Sequence, residues 1–170
     1  MGEADPGEEQ GGALPEELAQ HVLERWPVAR LATLGPAGPQ LLPVVFARVG
    51  GSLWSAVDGK PKAGGELARI RHVRADPRVA LLLDEYTEDW NELWWLRVAG
   101  TARAVEADPA RDPEVAAAVA ALVAKYPQYG KIPVLGDPPR MLRIEPRRLR
   151  SWYMGPEALA RLRTRLAEGR

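Results

Sequence analysis

The chain has 170 residues, 46% of them hydrophobic, and a formal net charge of zero. This composition fits one globular domain with a single core, and the neutral balance gives no general attraction to nucleic acid or to an anionic membrane. The chain has no cysteine and only two histidines, which excludes disulfides, thiolate catalysis and a histidine-rich metal site within one subunit. No apolar run of about 18 residues or secretory signal is visible, so we expect a cytoplasmic protein.

The chain divides into a tail, one main domain and a terminal helix. Residues 1–14 contain too few apolar side chains to fold and are predicted to be a disordered tail. A helix begins at Pro15, with apolar residues on one face, and ends at Pro27. The main domain is predicted to occupy residues 15–154, and a helix that begins at Gly155-Pro156 occupies residues 155–170.

Three predicted strands open the main domain. Val28–Leu34 is the first, and Gln40–Arg48 returns beside it after a turn rich in glycine and proline. Pro43 removes one backbone donor, so its position lies at an edge, at a bulge or beside a ligand. Gly50-Gly51 predicts a tight hairpin into Leu53–Val57. We expect these three strands to form an antiparallel meander.

The second half alternates helices and strands. Gly100 is a predicted bend or bulge, and Asp112 is a predicted helix cap. The predicted elements are a helix over Gly65–Arg74, strands over Arg78–Leu83 and Leu93–Val105, a helix from Asp112 to Tyr126, and a strand from Arg140 to Trp152. The fold class is therefore all-β with flanking helices, and the expected architecture is an antiparallel barrel of about six strands, closed or partly closed.

Common catalytic motifs are missing from the sequence. None of the three serines lies in a G-x-S-x-G elbow, and there is neither a P-loop nor a G-x-G-x-x-G fingerprint. His72 lies between two arginines of a predicted helix and is expected at the surface. An acidic cluster over residues 84–89 is interpreted as a solvated loop rather than as a divalent cation site.

Two of the four lysines, Lys60 and Lys62, lie between a predicted strand and a predicted helix. Free backbone donors and the positive end of the helix dipole at such a position favour an anion, and two ammonium groups would strengthen the site. Arg69 and Arg71 on the same helix could contribute. The alternative is that both lysines are solvated turn residues.

Six tryptophans are many for this length, and their flat rings could line an aromatic cofactor pocket. Trp90, Trp94 and Trp95 cluster in the sequence, and the other three flank predicted strand ends. The alternative for each of them is packing in the core or at a dimer contact.

Several of these segments, taken in order, resemble a known family. The run VARLATLGP from Val28, followed by QLLPVVF from Gln40, resembles the opening hairpin of the pyridoxamine-phosphate-oxidase-like split barrels. The runs that begin at Trp54 (WSAVDGKPK), His72 (HVRADPRVALLLD) and Asp89 (DWNELWWLRVAG) resemble an actinobacterial branch described as F420-dependent enzymes. The resemblance covers nearly everything from Leu18 to Trp152.

The resemblance implies a six-stranded antiparallel split barrel of the FMN-binding type, assembled as a homodimer with two cofactor sites at the interface. By resemblance, Pro43, Val44 and Val45 would place their backbone along the ring of the cofactor. The remaining implied contacts are the strand residues Trp54, Ser55 and Ala56, the phosphate ligands Lys60 and Lys62, and the pocket residues Trp94, Trp95 and Trp152.

The implied function is hydride transfer between reduced coenzyme F420 and an unsaturated small-molecule acceptor. The cofactor carries the chemistry, and no strong catalytic side chain is required. The end of the chain lacks the R-L-H-D-R-like run of classical pyridoxamine phosphate oxidases, which argues against the vitamin B6 reaction. The alternatives are an FMN-dependent enzyme on the same barrel, a non-catalytic flavin- or haem-binding protein, and a purely structural dimer.

Overall fold

The computed structural model describes residues 11–57 and 66–168. The α-helices are α1 (Glu16–Arg25), α2 (Ala68–Ala75), α3 (Pro113–Lys125) and α4 (Pro156–Glu168). The strands are β1 (Ala29–Gly35), β2 (Gly38–Val44), β3 (Ala47–Val49), β4 (Ser52–Ala56), β5 (Arg78–Glu85), β6 (Trp94–Glu106) and β7 (Arg140–Tyr153). Short 3-10 helices occupy Trp90–Glu92 and Pro127–Gly130.

The seven strands form one antiparallel sheet in the order β2-β1-β5-β6-β7-β4-β3. Its two edge strands, β2 and β3, are consecutive in the chain and are joined by Val45 and Phe46 alone. The sheet must therefore curl until its edges meet at this connection. Because β2 and β3 do not pair within the described residues, the barrel is split rather than closed.

The expectation of six strands was wrong, because the single strand predicted over Gln40–Arg48 is two strands. Val44 still pairs with Ala29 of β1, whereas Ala47 pairs with Trp54 of β4. Between them, the N–H of Phe46 donates to the Tyr126 hydroxyl (3.1 Å), and the C=O of Phe46 lies 2.7 Å from that hydroxyl oxygen. A side chain thus takes the place of a neighbouring strand. The predicted three-strand meander was wrong for the same reason: β2 pairs with β1 and β3 pairs with β4, but β2 and β3 do not pair with each other.

The turn, bulge and cap predictions are confirmed. Gly50 has a positive φ of 57° in the β3–β4 hairpin. The β6–β7 register shifts between Ala99 and Gly100, where a Cβ added to Gly100 would lie 2.2 Å from the carbonyl oxygen of Glu145. The carboxylate of Asp112 accepts from two N–H groups at the start of α3, at 2.9 and 3.2 Å.

Two apolar clusters form the core. The first fills the barrel interior between the inner face of the sheet and the helices α1, α2 and α4. The second lies between α3 and the opposite face of β4 and β7, and it includes Trp54, Ala56 and Met141. Every residue of β4 is buried because the strand is covered on both faces.

His72 is buried, so its predicted surface position was wrong. Its Nδ1 lies 3.0 Å from the Thr33 hydroxyl oxygen, and only 8% of the residue is exposed. Gly35 makes room for the ring, since an added Cβ there would lie 2.6 Å from the histidine Nε2. The neighbouring arginines favoured a surface position, but His72 lies on the buried face of α2.

The segment that precedes α1 packs on β7. Gly12 forms an antiparallel bridge with Tyr153, and the N–H of Leu14 donates to the Ser151 hydroxyl at 3.0 Å. Leu14 is itself buried. Contacts with the barrel therefore begin within the range assigned to the tail, whose residues 1–10 lie outside the described residues.

Ion pairs fasten α4 to the barrel. Glu85 at the end of β5 accepts from Arg165 (2.8 Å) and from Arg161 (3.4 Å), and Arg161 also donates to Glu92 at 2.8 Å. The acidic segment is thus partly structural rather than only solvated. Within the described residues, no group of three or more histidine or acidic side chains is placed to hold a metal ion.

Candidate cofactor site

The outward face of the sheet carries a row of residues that crosses five strands. Pro43 pairs with Arg30, Arg30 with Leu82, Leu82 with Arg97, and Arg97 with Arg150. Residues that pair directly across a sheet project to the same face. This face therefore places the predicted ring-contacting strand in line with three arginines.

A second row on the same face has three small side chains at its centre. Leu41 pairs with Ala32, Ala32 with Ala80, Ala80 with Ala99, and Ala99 with Arg148. Leu41 is 68% exposed, and the three alanines are not buried either. Three consecutive alanines make this part of the face flat and apolar, so that another molecule could approach the backbone closely.

A third row is aromatic. Asp84 pairs with Trp95, which pairs with Trp152. The guanidinium carbon of Arg97 lies 5.7 Å from the centre of the Trp95 ring. Gly11 covers the neighbouring indole, since a Cβ added there would lie 2.6 Å from the Trp152 Nε1. Of the two indoles, Trp152 is thus covered at its Nε1 edge by Gly11.

Desolvation acts on the carboxyl group beside this aromatic row. Burial raises the pKa of Asp84, and the Arg30 guanidinium that it binds partly opposes this increase. The pair leaves Arg30 neutralised on the outward face. The positive charge of the face therefore comes mainly from arginines on β6 and β7.

The three residues predicted to lie along the cofactor ring end β2 and begin the connection to β3. Pro43 lies on the outward face at the edge strand, Val44 is buried, and Val45 is half-buried. Edge and ligand-facing positions tolerate proline because no ladder bond is lost there. The β3–β4 pairing begins two residues after Val45, with Ala47 opposite Trp54.

The predicted aromatic and β4 contacts divide between the core and the outward face. Trp54 and Ala56 are buried beneath α3, whereas Ser55 is buried on the opposite face of β4, where it pairs with Leu142. Trp94 has no exposed surface and packs edge-on against Trp26, with ring centres 4.7 Å apart. Of the predicted tryptophans, the structure therefore brings only Trp95 and Trp152 to the same face as Pro43.

Lys60 and Lys62 lie outside the described residues, but the structure shows what flanks them. The N–H of Val57 donates to the Arg140 carbonyl at 2.9 Å, and the Val57 carbonyl accepts from Gly136 at 2.7 Å. On the far side, the carboxylate of Glu66 binds Arg74 and Arg140. Helix α2 begins at Ala68 rather than at the predicted Gly65.

Tyr126, which the sequence analysis missed, holds the connection that carries Val45. Its hydroxyl oxygen lies 2.7 Å from the Phe46 carbonyl and 2.9 Å from the Pro27 carbonyl. Burial, more than any other influence, raises the pKa of Tyr126, so the hydroxyl stays protonated and can donate. A tyrosine at the end of a helix carries no sequence signal for this long-range contact.

Lys125 packs beside the same connection. Its ammonium lies 4.0 Å from the centre of the Phe46 ring and 5.6 Å from that of Tyr126, and it has no hydrogen-bond partner in the described part of the chain. Burial lowers the pKa of Lys125 to about 8. The two ring faces are the main electrostatic support for its charged form.

An antiparallel sheet that curls without closing, flanked by helices and open at its outward face, defines the split-barrel class. The family model described as pyridoxamine 5'-phosphate oxidase matches residues 14–153. The chain belongs to this family. The resemblance to this family and the expected split-barrel fold are thereby confirmed.

Solved structures show the same fold. A FAD-binding protein from Mesorhizobium loti is 19% identical, with a TM-score of 0.61 over 84% of this chain and 95% of that one. A conserved hypothetical protein from Mycobacterium tuberculosis is 23% identical (TM-score 0.63; 86% and 88% covered). The heme storage protein HutZ from Vibrio cholerae is 16% identical (TM-score 0.62; 86% and 99% covered).

No curated protein sequence matches the chain. In residues 11–57 and 66–168, no helix combines the length and the apolar content that crossing a membrane requires.

Proposed function

We propose that this protein is an F420-dependent oxidoreductase that transfers a hydride between the reduced deazaflavin and an unsaturated small-molecule acceptor. The observation that carries the proposal is that, at the split of the barrel, the connection containing Val45 leads into β3, which pairs with the strand that precedes the two lysines. Val45 precedes β3, whose first residue Ala47 pairs with Trp54 of β4, and Lys60 follows the end of β4 by four residues in the sequence. The segment proposed to hold the phosphate thus follows directly in sequence from the strand that pairs with β3.

The residues divide the work of binding. The backbone of Pro43 to Val45 would orient the ring, Lys60 and Lys62 would pair with the phosphate and the acidic tail, and Trp95 would border the open side. Bound F420 would supply a two-electron hydride donor, so the protein's task is to bind, orient and exclude water. The buried Trp54, Ser55 and Ala56 would act by holding the strand beside Val45.

Replacement of Lys62 by alanine tests the phosphate role. A charge-assisted hydrogen bond contributes about 1.5–3 kcal/mol, so the affinity for F420 should fall about 10- to 100-fold. The matched control is Lys131→Ala, since Lys131 is an exposed lysine that follows the 3-10 helix Pro127–Gly130. Equal affinities of the Lys62 variant and the parent protein, measured by fluorescence titration, would remove the assignment.

Two alternatives on the same barrel have distinct readouts. An FMN enzyme is favoured if the purified protein is yellow and FMN binds more tightly than F420. A non-catalytic flavin- or haem-binding protein is favoured if cofactor binds tightly but reduced F420 shows no turnover with a broad panel of conjugated acceptors. Hydride transfer to any member of that panel supports the enzyme.

We also propose that the protein is a homodimer built on the alanine row. The flat apolar face of Ala32, Ala80 and Ala99, with the exposed Leu41 at its edge, is suited to pack against a second copy of itself. Sedimentation equilibrium should give a dimer for the parent protein and a monomer for Ala80→Arg. A parent protein that sediments as a monomer at micromolar concentration would exclude the proposal.

A further inference from the structure

On the outward face of the sheet, β6 and β7 carry three arginines without carboxylate partners among the described residues. Arg97 lies directly opposite Arg150, and Arg148 follows two residues away on the same face. All three are exposed in the single chain, and none forms an ion pair or hydrogen bond with any described residue. Most other arginines of the sheet do have such partners: Arg30 binds Asp84, Arg143 binds Glu114, and Arg147 binds Glu145.

Like charges that face each other across neighbouring strands repel and are destabilising. The nearby carboxylates do not relieve this repulsion. Asp84, which heads the adjacent row, is bound by Arg30, and Glu145 is bound by Arg147. An anion placed between the two guanidinium groups would remove the repulsion and would receive donors from both.

One of these guanidinium groups is oriented by an aromatic ring. The guanidinium carbon of Arg97 lies 5.7 Å from the centre of the Trp95 ring, a cation–π contact that leaves its N–H groups without an acceptor among the described residues. Planar forks of this kind match carboxylates in a bidentate manner. The indole beside it offers a flat apolar surface for a conjugated ring.

We infer that Arg97 and Arg150, with Trp95, form the site that binds the carboxylate of a flat, conjugated acceptor. Arg148 adds charge at the margin of this site. The inference rests on the proposed function, because it names the class of acceptor to which the reduced cofactor would transfer a hydride. Recognition of a carboxylate is distinct from retention of the cofactor, which the proposed function assigns to Lys60 and Lys62.

Paired probes test the inference on the full chain. The affinities of 2-naphthoate and of the uncharged 2-naphthol are measured by isothermal titration calorimetry, with and without bound F420, for the parent protein and for Arg97→Gln and Arg150→Gln. We expect each substitution to weaken 2-naphthoate about tenfold and to leave 2-naphthol unchanged. Arg103→Gln is the control, since Arg103 is an exposed arginine of the same strand opposite Arg143, and it should alter neither affinity.

Three results would overturn the inference. They are equal binding of the two probes by the parent protein, no loss of 2-naphthoate affinity in either variant, and a loss of F420 affinity in the same variants with binding of the tail-less deazaflavin chromophore retained. The last result would mean that the arginines hold the acidic tail of the cofactor. Failure of F420 to bind the parent protein would instead contradict the proposed function, and the naphthoate comparison would still test the anion site.

Discussion

The hydroxyl oxygen of Tyr126 lies 2.7 Å from the carbonyl oxygen of Phe46, which is 80 residues away in the sequence. The same hydroxyl accepts from the Phe46 N–H and approaches the Pro27 carbonyl. One phenol thus joins the end of α3, the start of β1 and the connection between the two edge strands. This contact ties the connection at the split of the barrel to α3 and to the residues before β1.

Replacement of Tyr126 by phenylalanine should therefore loosen the connection at Phe46. Loss of the buried hydroxyl leaves backbone groups without a partner, so we expect the free energy of unfolding to decrease by about 1–3 kcal/mol. Affinity for F420 should fall as well, because Val45 adjoins Phe46. Urea denaturation and cofactor titration measure the two effects, and Tyr86→Phe, at a 68% exposed position, should change neither. Unchanged stability of the Tyr126 variant would show that the hydroxyl is not a structural hub.

Gly100 should tolerate no side chain. A Cβ would lie 2.2 Å from the Glu145 carbonyl oxygen, and a backbone neighbour can relieve that overlap only if the β6–β7 bulge shifts. We expect Gly100→Ala to reduce the free energy of unfolding by about 2–4 kcal/mol. Gly51→Ala is the matched control, since Gly51 has open space and no positive φ. Equal melting temperatures for both variants would contradict this prediction.

Lys125 should make stability depend on pH above neutrality. Its folded-state pKa of about 8 lies below its ordinary value of 10.5 because of burial, so the unfolded chain binds more protons between those values. The free energy of unfolding attributable to this residue should therefore increase with pH from about 8 to about 10.5, by at most about 3 kcal/mol.

Lys125→Met should remove that increase and should be more stable than the parent protein at pH 7. Chemical denaturation at pH 7, 8.5 and 10 measures both effects. Lys131→Met at an exposed position controls for the loss of a positive charge. If the parent and Lys125→Met proteins show parallel pH profiles, the ammonium is not destabilised by burial.

Glu85 should anchor the terminal helix. Its carboxylate, with only 11% of the side chain exposed, receives Arg165 and Arg161, so Glu85→Gln leaves Arg165 without its charged partner. We expect a loss of about 1–3 kcal/mol and faster amide hydrogen exchange in α4. Glu145→Gln removes a more exposed pair with Arg147 and should cost less than about 1 kcal/mol. Unaltered exchange in α4 would show that packing alone holds the helix.

Local chemistry made part of this fold predictable. Asp112 before Pro113 indicates a helix start, and Gly100 within a long apolar strand indicates a bulge; both are confirmed. The division of Gln40–Arg48 into two strands could not be predicted, because an apolar run looks the same whether its partner is a strand or the hydroxyl of Tyr126. The burial of His72 depends on Thr33 and Gly35, which are distant in sequence.

Only those features of the candidate site that depend on residues close together in the sequence could be predicted. The proline in β2 and the lysine pair are visible as local patterns, and their roles stay predictions. The facing of Arg97 and Arg150 depends on the register of two long strands, which the spacing of residues alone does not determine. Trp94 and Trp95 are neighbours in sequence, yet alternation along β6 sends one to the core and the other to the outward face.

Side-by-side titration of the full chain with F420 and with FMN, followed by quenching of tryptophan fluorescence, tests the central claim most directly. We expect saturable quenching by F420, with a dissociation constant about tenfold or more below that of FMN and with loss of affinity in Lys62→Ala. Tighter binding of FMN would contradict the choice of cofactor. Absence of saturable quenching by either compound, with the protein folded by circular dichroism, would contradict the cofactor site itself.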